Sequence, residues 1–180
     1  MKDDLERLRG MAIFAGVAPG ELAPVVALME EVEFKKGETL FEEGERGDAM
    51  YVIVSGAVRV MKGDGRGARH ERTLAVLEAG AVLGEMALVL NQPRSATAVA
   101  TASGRSYRIG RARFSRLLRQ HQAGACKMIF NLTKMLCARI HHINNTMVGL
   151  EERAERKPGS LSSADAASLR ERFFKQGFVV

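Results

Sequence analysis

Phe34-Lys35-Lys36-Gly37-Glu38-Thr39-Leu40-Phe41-Glu42-Glu43-Gly44-Glu45-Arg46-Gly47-Asp48, followed by Met50-Tyr51-Val52-Ile53-Val54-Ser55-Gly56, decides the fold. Short β-prone pieces alternate here with single glycines. The rhythm continues through Gly63, Gly65, Gly67, Gly80 and Gly84 as far as Ile109. Apolar pieces this short, cut by turn residues at close intervals, read as strands of a β-sandwich or jelly-roll barrel. The candidate strands are Glu31–Phe34, Thr39–Phe41, Met50–Val54, Ala57–Met61, Thr73–Leu77, Thr97–Thr101 and Arg105–Ile109. Met50–Val54 and Ala57–Met61 flank Ser55-Gly56 as the arms of a hairpin would. Lys62–Arg69, rich in glycine and charge, reads as a mobile hairpin tip.

Helical periods flank this region. Leu5, Leu8 and Met11, with Ile13-Phe14, space as one apolar face, and Pro19 opens a second helix through Leu22, Val25, Val26 and Met29. After Ile109, Phe114, Leu117 and Leu118 share one face of Arg111–His121. A long helix follows, from about Gly124 to Arg156, with Ile129, Leu132, Leu136, Ile140, Ile143, Met147 and Leu150 in a nearly heptad stripe. Met128, Phe130 and Met135 widen the stripe where the helix is expected to pack on the β region. Farther along, one helix would leave its stripe in water, so self-association is expected. Lys157-Pro158-Gly159-Ser160 ends the helix, and Leu161–Val180 reads as a loose tail with one short helix capped by Ser163. The fold class is α+β and mainly β: a double-stranded β-helix or jelly-roll barrel with N-terminal helices and a long C-terminal helix. Its parts are a helical segment (1–30), the β core (31–110), the C-terminal helices (111–156) and a tail (157–180).

Within the β region, Gly84-Glu85-Met86-Ala87-Leu88 and Pro93-Arg94-Ser95-Ala96 carry chemistry. Gly84 can adopt backbone angles closed to other residues. The four residues after it read as one helical turn, whose free N–H groups and positive end suit a phosphate. Glu85 adds a carboxylate able to accept from vicinal sugar hydroxyls. Pro93 stiffens the return of the chain, Arg94 offers a planar fork for phosphate oxygens, and Ser95 is a further donor. A phosphate attached to a ribose would use every one of these groups. Singly, Glu85 reads as well as a turn cap and Arg94 as a surface ion pair; in this glycine framework they read together.

These residues resemble the cyclic nucleotide-binding domain shared by bacterial catabolite-activator-type regulators, cyclic-nucleotide-dependent kinase regulatory subunits and gated channels. The similarity runs from about Leu8 to Leu150. The resemblance implies that Glu85 holds the ribose 2′-hydroxyl, that Arg94 pairs with the cyclic phosphate, and that Ser95 donates to it. It implies that backbone N–H groups of Met86 and Ala87, beside Gly84, complete the cradle, and that Val82 and Leu83, with Val76 or Ala98, line an apolar wall. The long helix would close over the base near Ile143, Asn144 and Asn145; Asn144 suits a purine edge because an amide both donates and accepts. The expected ligand is cAMP, with cGMP open, since a hydroxyl at Ser95 serves either. Ligand binding would move the helices after Ile109, with an unknown effector protein or a homodimer through the long helix as the readout. About thirty residues follow Leu150, too few for the winged helix-turn-helix of the transcription-factor branch. A free-standing sensor, or one domain of a larger protein, is expected.

Composition narrows the classes. The 180 residues are 46% apolar, enough for a core without staples. No apolar run approaches a membrane span, and the N-terminus lacks the apolar stretch of a signal peptide. The net charge of +6 is scattered, without the basic–aromatic interleaving of a nucleic-acid surface. Cys126 and Cys137 would lie roughly 16 Å apart on one helix, too far to bridge, and read as packed thiols in a reducing cytoplasm. His70, His121, His141 and His142 do not cluster, so neither a metal nor a cofactor is expected. No nucleophilic elbow is present, so no catalytic residue is expected. Two other readings stand beside the sensor: a ligand-free interaction module of the same fold, and a truncated DNA-binding regulator.

Overall fold

The computed structural model describes residues 2–63, 72–90 and 92–155. The proposed tip at Lys62–Arg69 and the tail after Arg156 therefore fall largely or wholly outside the described residues. The elements run α1 (Lys2–Arg9), a 3-10 turn (Ala12–Phe14), α2 (Pro19–Val26), β1 (Met29–Phe34), β2 (Thr39–Phe41), β3 (Ala49–Lys62), β4 (Arg72–Glu78), β5 (Val82–Leu83), α3 (Met86–Val89), β6 (Thr97–Gly110), α4 (Arg111–Arg119) and α5 (Ala123–Glu155). The chain divides into two compact units, residues 1–133 and 134–180.

All strand pairings are antiparallel, in the order β1-β6-β3-β4, with β2 on β6 and β5 on β3. The fold class read from the glycine rhythm is the one observed. Phe34, Phe41, Ile53, Val58, Leu83, Ala98 and Ala100, drawn from five strands, close on one another as a single buried cluster. Burying the larger of these side chains is the main favourable term, at roughly 1.5–3 kcal/mol for each Phe, Ile, Val or Leu.

The hairpin expected at Ser55-Gly56 does not form. Met50–Val54 and Ala57–Met61 are one strand, β3, and Thr97–Thr101 and Arg105–Ile109 are likewise one strand, β6. The chain bends at Gly56, whose φ is +84°, and the β3–β6 register shifts three times between Ile53 and Val58. The cause is a close approach: a Cβ on Gly56 would lie 2.8 Å from the Ser103 carbonyl oxygen, and one on Gly104 would run into the Ser55 carbonyl. Two glycines facing each other let both long strands kink without breaking, as bulges do.

The helices of the first unit pack through Leu8, Ile13, Phe14, Leu22, Val25, Phe114, Met128 and Leu132, all buried. Glu21 accepts from the Ala18 N–H at the start of α2 (2.8 Å) and pairs with Lys127 of α5 (2.6 Å). Asn131, also on α5, donates from Nδ2 to the carbonyls of Ile13 and Ala15 at 3.0 and 2.9 Å. Two expectations fail on α5. Cys126 and Cys137 are exposed rather than packed, and Phe130 is 65% exposed although Met128 beside it is buried. The helical period is right, but the buried arc is narrower than the full apolar set. Farther along α5, Ile140, Ile143 and Val148 are exposed. Among the described residues no helix is long and apolar enough to cross a membrane.

Candidate functional site

β5 is only two residues long, yet it sets the site. Val82 and Leu83 pair with Val52 and Tyr51 of β3 and are buried. They deliver the chain to Gly84, whose φ of +68° turns it into α3. Glu85 precedes the helix with αR angles and is buried, at 7% exposure. The turn is closed by Ala87 N–H to the Gly84 carbonyl (3.1 Å), Leu88 N–H to Glu85 (3.0 Å) and Leu90 N–H to Met86 (2.7 Å). Met86 stands at the first helical position, where an N–H has no intrahelical acceptor. The Ala87 N–H, expected in the same cradle, serves the turn itself.

The return segment is fastened along its backbone. Pro93 bridges Arg46, the Arg94 N–H donates to the Glu45 carbonyl (2.7 Å), and the Gly44 N–H donates to the Arg94 carbonyl (2.9 Å). Lys62 Nζ donates to the Ser95 carbonyl (2.9 Å) and to Glu43 Oε1 (3.2 Å), while the Gly63 N–H donates to Glu43 Oε2 (3.1 Å). Ser95 is exposed, and its hydroxyl donates to Met86 Sδ at 3.6 Å. On the other side, a Cβ on Gly47 would meet Ala87 Cβ at 3.0 Å, so the β2–β3 loop lies directly against α3.

Arg94 turns inward from this frame and is 7% exposed. Its Nη1 donates to the carbonyls of Ala49 (2.8 Å) and Gly84 (3.3 Å). Its guanidinium carbon lies 4.2 Å from the centre of the Phe41 ring and 5.9 Å from that of Tyr51. The two rings stack at 6.0 Å. Nε is buried without a partner, and among the described residues no carboxylate forms an ion pair with Arg94. Burial pulls its pKa below the ordinary arginine value, against the opposing pull of Tyr51, Asp48 and Glu45. A guanidinium does not lose its proton in a protein. A buried cation held by carbonyls and ring faces, with no acid paired to it among the described residues, is an arrangement that an incoming anion would stabilise.

The structure thus brings Gly84, Glu85, Met86, Ala87, Arg94 and Ser95 together on one strand–turn–helix and its return. Of the wall residues, Val82, Leu83 and Ala98 are buried, whereas Val76 is 55% exposed on the sheet-edge strand β4. Asn144 belongs to the second unit, half-exposed on α5 beside Asn145, whose Nδ2 lies 3.2 Å from His141 Nε2. Phe41, Tyr51 and the Ala49 carbonyl escaped the sequence reading. The first two were placed in strands, but nothing in a strand pattern says that an inward ring will carry an arginine.

Comparison with known proteins decides the assignment: the Cyclic nucleotide-binding domain family model matches residues 31–121. The chain belongs to the cyclic nucleotide-binding domain family. It is 30% identical over 147 residues to the "CRP-like cAMP-activated global transcriptional regulator" of Mycobacterium tuberculosis, covering 81% of this chain and 62% of that protein. It is 37% identical over 93 residues to the "Cyclic AMP receptor protein" of Thermus thermophilus, covering 52% and 42%. The chain therefore spans less than two thirds of the length of these curated relatives. In fold it is similar to a cyclic nucleotide-binding domain from Methylobacillus flagellatus, with a TM-score of 0.71 at 24% identity, covering 89% and 86%.

Proposed function

We propose that this chain is a cyclic-nucleotide sensor that binds cAMP and passes the event on through its C-terminal helices. The observation that carries the reading is Arg94: a buried guanidinium on two aromatic rings, with no acid paired to it among the described residues. Its Nη1 is occupied by two carbonyls, which leaves the rest of the fork for the ring phosphate. The Met86 N–H and the Ser95 hydroxyl add donors, and Glu85 takes the ribose 2′-hydroxyl. Val82, Leu83 and Ala98 back the turn with apolar surface. The family membership and the cAMP named for the mycobacterial relative support this ligand, with cGMP the competing base.

For transmission, α3 packs beside α4, so a cassette that tightens on a phosphate pulls on the first helix after the barrel. A ligand shifts such an equilibrium only by its preference for one state over the other. The exposed Ile140, Ile143 and Val148 of α5 support a homodimer. The effector is a protein partner of a cytoplasmic chain, and the site is built for binding without turnover.

Calorimetric titration with cAMP and with cGMP tests the reading. Saturable one-site binding, tighter for cAMP, supports it. Flat traces with both nucleotides overturn it in favour of an interaction module of the same fold.

A further inference from the structure

We propose that the Met86 thioether is a modification site for hydroperoxides, and that its oxidation weakens the cassette's hold on a cyclic nucleotide. The inference rests on the sensor reading above and deepens it. Met86 is 42% exposed at the start of α3. The other methionines whose side-chain exposure is described are less accessible: Met11, Met50 and Met128 are buried, and Met29, Met61 and Met135 are half-buried. An oxidant in solution therefore meets Met86 ahead of these.

The consequence follows from its neighbour. The Ser95 hydroxyl donates to Met86 Sδ at 3.6 Å. A thioether is a weak acceptor, so the hydroxyl leaves it for a phosphate oxygen at little cost. Oxidation changes that balance. The sulfur lone pair attacks the terminal oxygen of the hydroperoxide; an S–O bond forms and the O–O bond breaks. The sulfur gives up two electrons, and the departing oxygen leaves as water or an alcohol with the hydroperoxide proton. The product is a polar sulfoxide, reducible by methionine sulfoxide reductases. Its oxygen is a far stronger acceptor than sulfur. It keeps the Ser95 hydroxyl and turns partial negative charge toward the place where the phosphate would dock.

The test treats the full chain with limiting hydrogen peroxide, maps oxidised methionines by peptide mass spectrometry and titrates with cAMP before and after. Met86 sulfoxide is expected to form ahead of Met11, Met29, Met50, Met61, Met128 and Met135. Affinity should fall about tenfold or more, the scale of one lost hydrogen bond to a charged group, and return on enzymatic reduction. Met86→Leu, whatever its own starting affinity, should show no further change on the same treatment. Preferential oxidation of any of those six, unchanged affinity in chain oxidised at Met86, or an equal loss in Met86→Leu would each overturn the proposal. If untreated chain binds neither nucleotide, the sensor reading itself fails and this one goes with it.

Discussion

Arg94 occupies the space that a side chain on Gly84 would fill: a Cβ there would collide with Arg94 Nη1 and lie 3.3 Å from its guanidinium carbon. Turn and cation are therefore one device. The glycine's φ of +68° aims α3 and its missing methyl houses the arginine.

Gly84→Ala should damage both. The left-handed backbone costs about 1–2 kcal/mol with a Cβ, and the guanidinium must move. Denaturant melts should show that loss, and cAMP affinity should fall by at least about tenfold, the effect of roughly 1.4 kcal/mol.

In the proposed sensor, Glu85 is the group that would demand a ribose. Hydrogen bonds to a charged group are worth about 1.5–3 kcal/mol, or about 10- to 150-fold. The wild type should prefer cAMP over 2′-deoxy-cAMP by a factor in that range. In Glu85→Ala the two ligands should bind nearly alike. A preference that survives the substitution would remove Glu85 from the sugar.

Glu43 and Lys62 fasten the cassette's return through the Ser95 carbonyl. The Gly63 N–H, then the Lys62 ammonium, hold the Glu43 carboxyl below its ordinary value of 4.5. A carboxyl lowered in the native state contributes fully above its unfolded value, and that contribution is lost as pH falls through the native one. The difference in stability toward denaturant between wild type and Glu43→Gln should therefore be constant near neutrality. It should shrink as pH drops below the ordinary carboxylate value. A difference that grows on acidification would contradict the clamp.

Asn131 provides a contrast outside the cassette. Its buried amide supplies the Ile13 and Ala15 carbonyls, and Asn131→Leu leaves both without that donor. The cost should be about 1–3 kcal/mol in chemical denaturation, with the cAMP titration unchanged.

The barrel and cassette were legible because each rests on local backbone chemistry. Glycines at turn intervals mark short strands, and a glycine, an acid and a proline–arginine pair within thirteen residues mark the turn and return segment that the structure brings together. What escaped depends on partners distant in sequence. Ser55-Gly56 has the composition of a hairpin turn and of a bulge alike; the nearness of Gly104, on another strand, selects the bulge. Phe41 and Tyr51 are ordinary strand residues until the fold sets Arg94 over them. Lys62 is a strand-end lysine until Ser95 comes beside it. On α5 the helical period predicted the buried Met128 and Leu132 but not the exposure of Cys126, Cys137 and Phe130, because period alone does not say how wide an arc the neighbours cover.

The central claim is that a buried guanidinium, with no acid paired to it among the described residues, binds the cyclic phosphate. Arg94→Met tests it most directly, since methionine keeps apolar bulk on Phe41 and removes the charge. Desolvation already weighs against this cation, so stability without ligand should fall by no more than about 1 kcal/mol, the worth of a hydrogen bond. With cAMP at a hundred times the wild-type dissociation constant, the wild type should gain about 2.7 kcal/mol of stability by mass action, and Arg94→Met should gain essentially none. An equal ligand-dependent gain in both proteins would show that Arg94 does not hold the phosphate and would contradict the account.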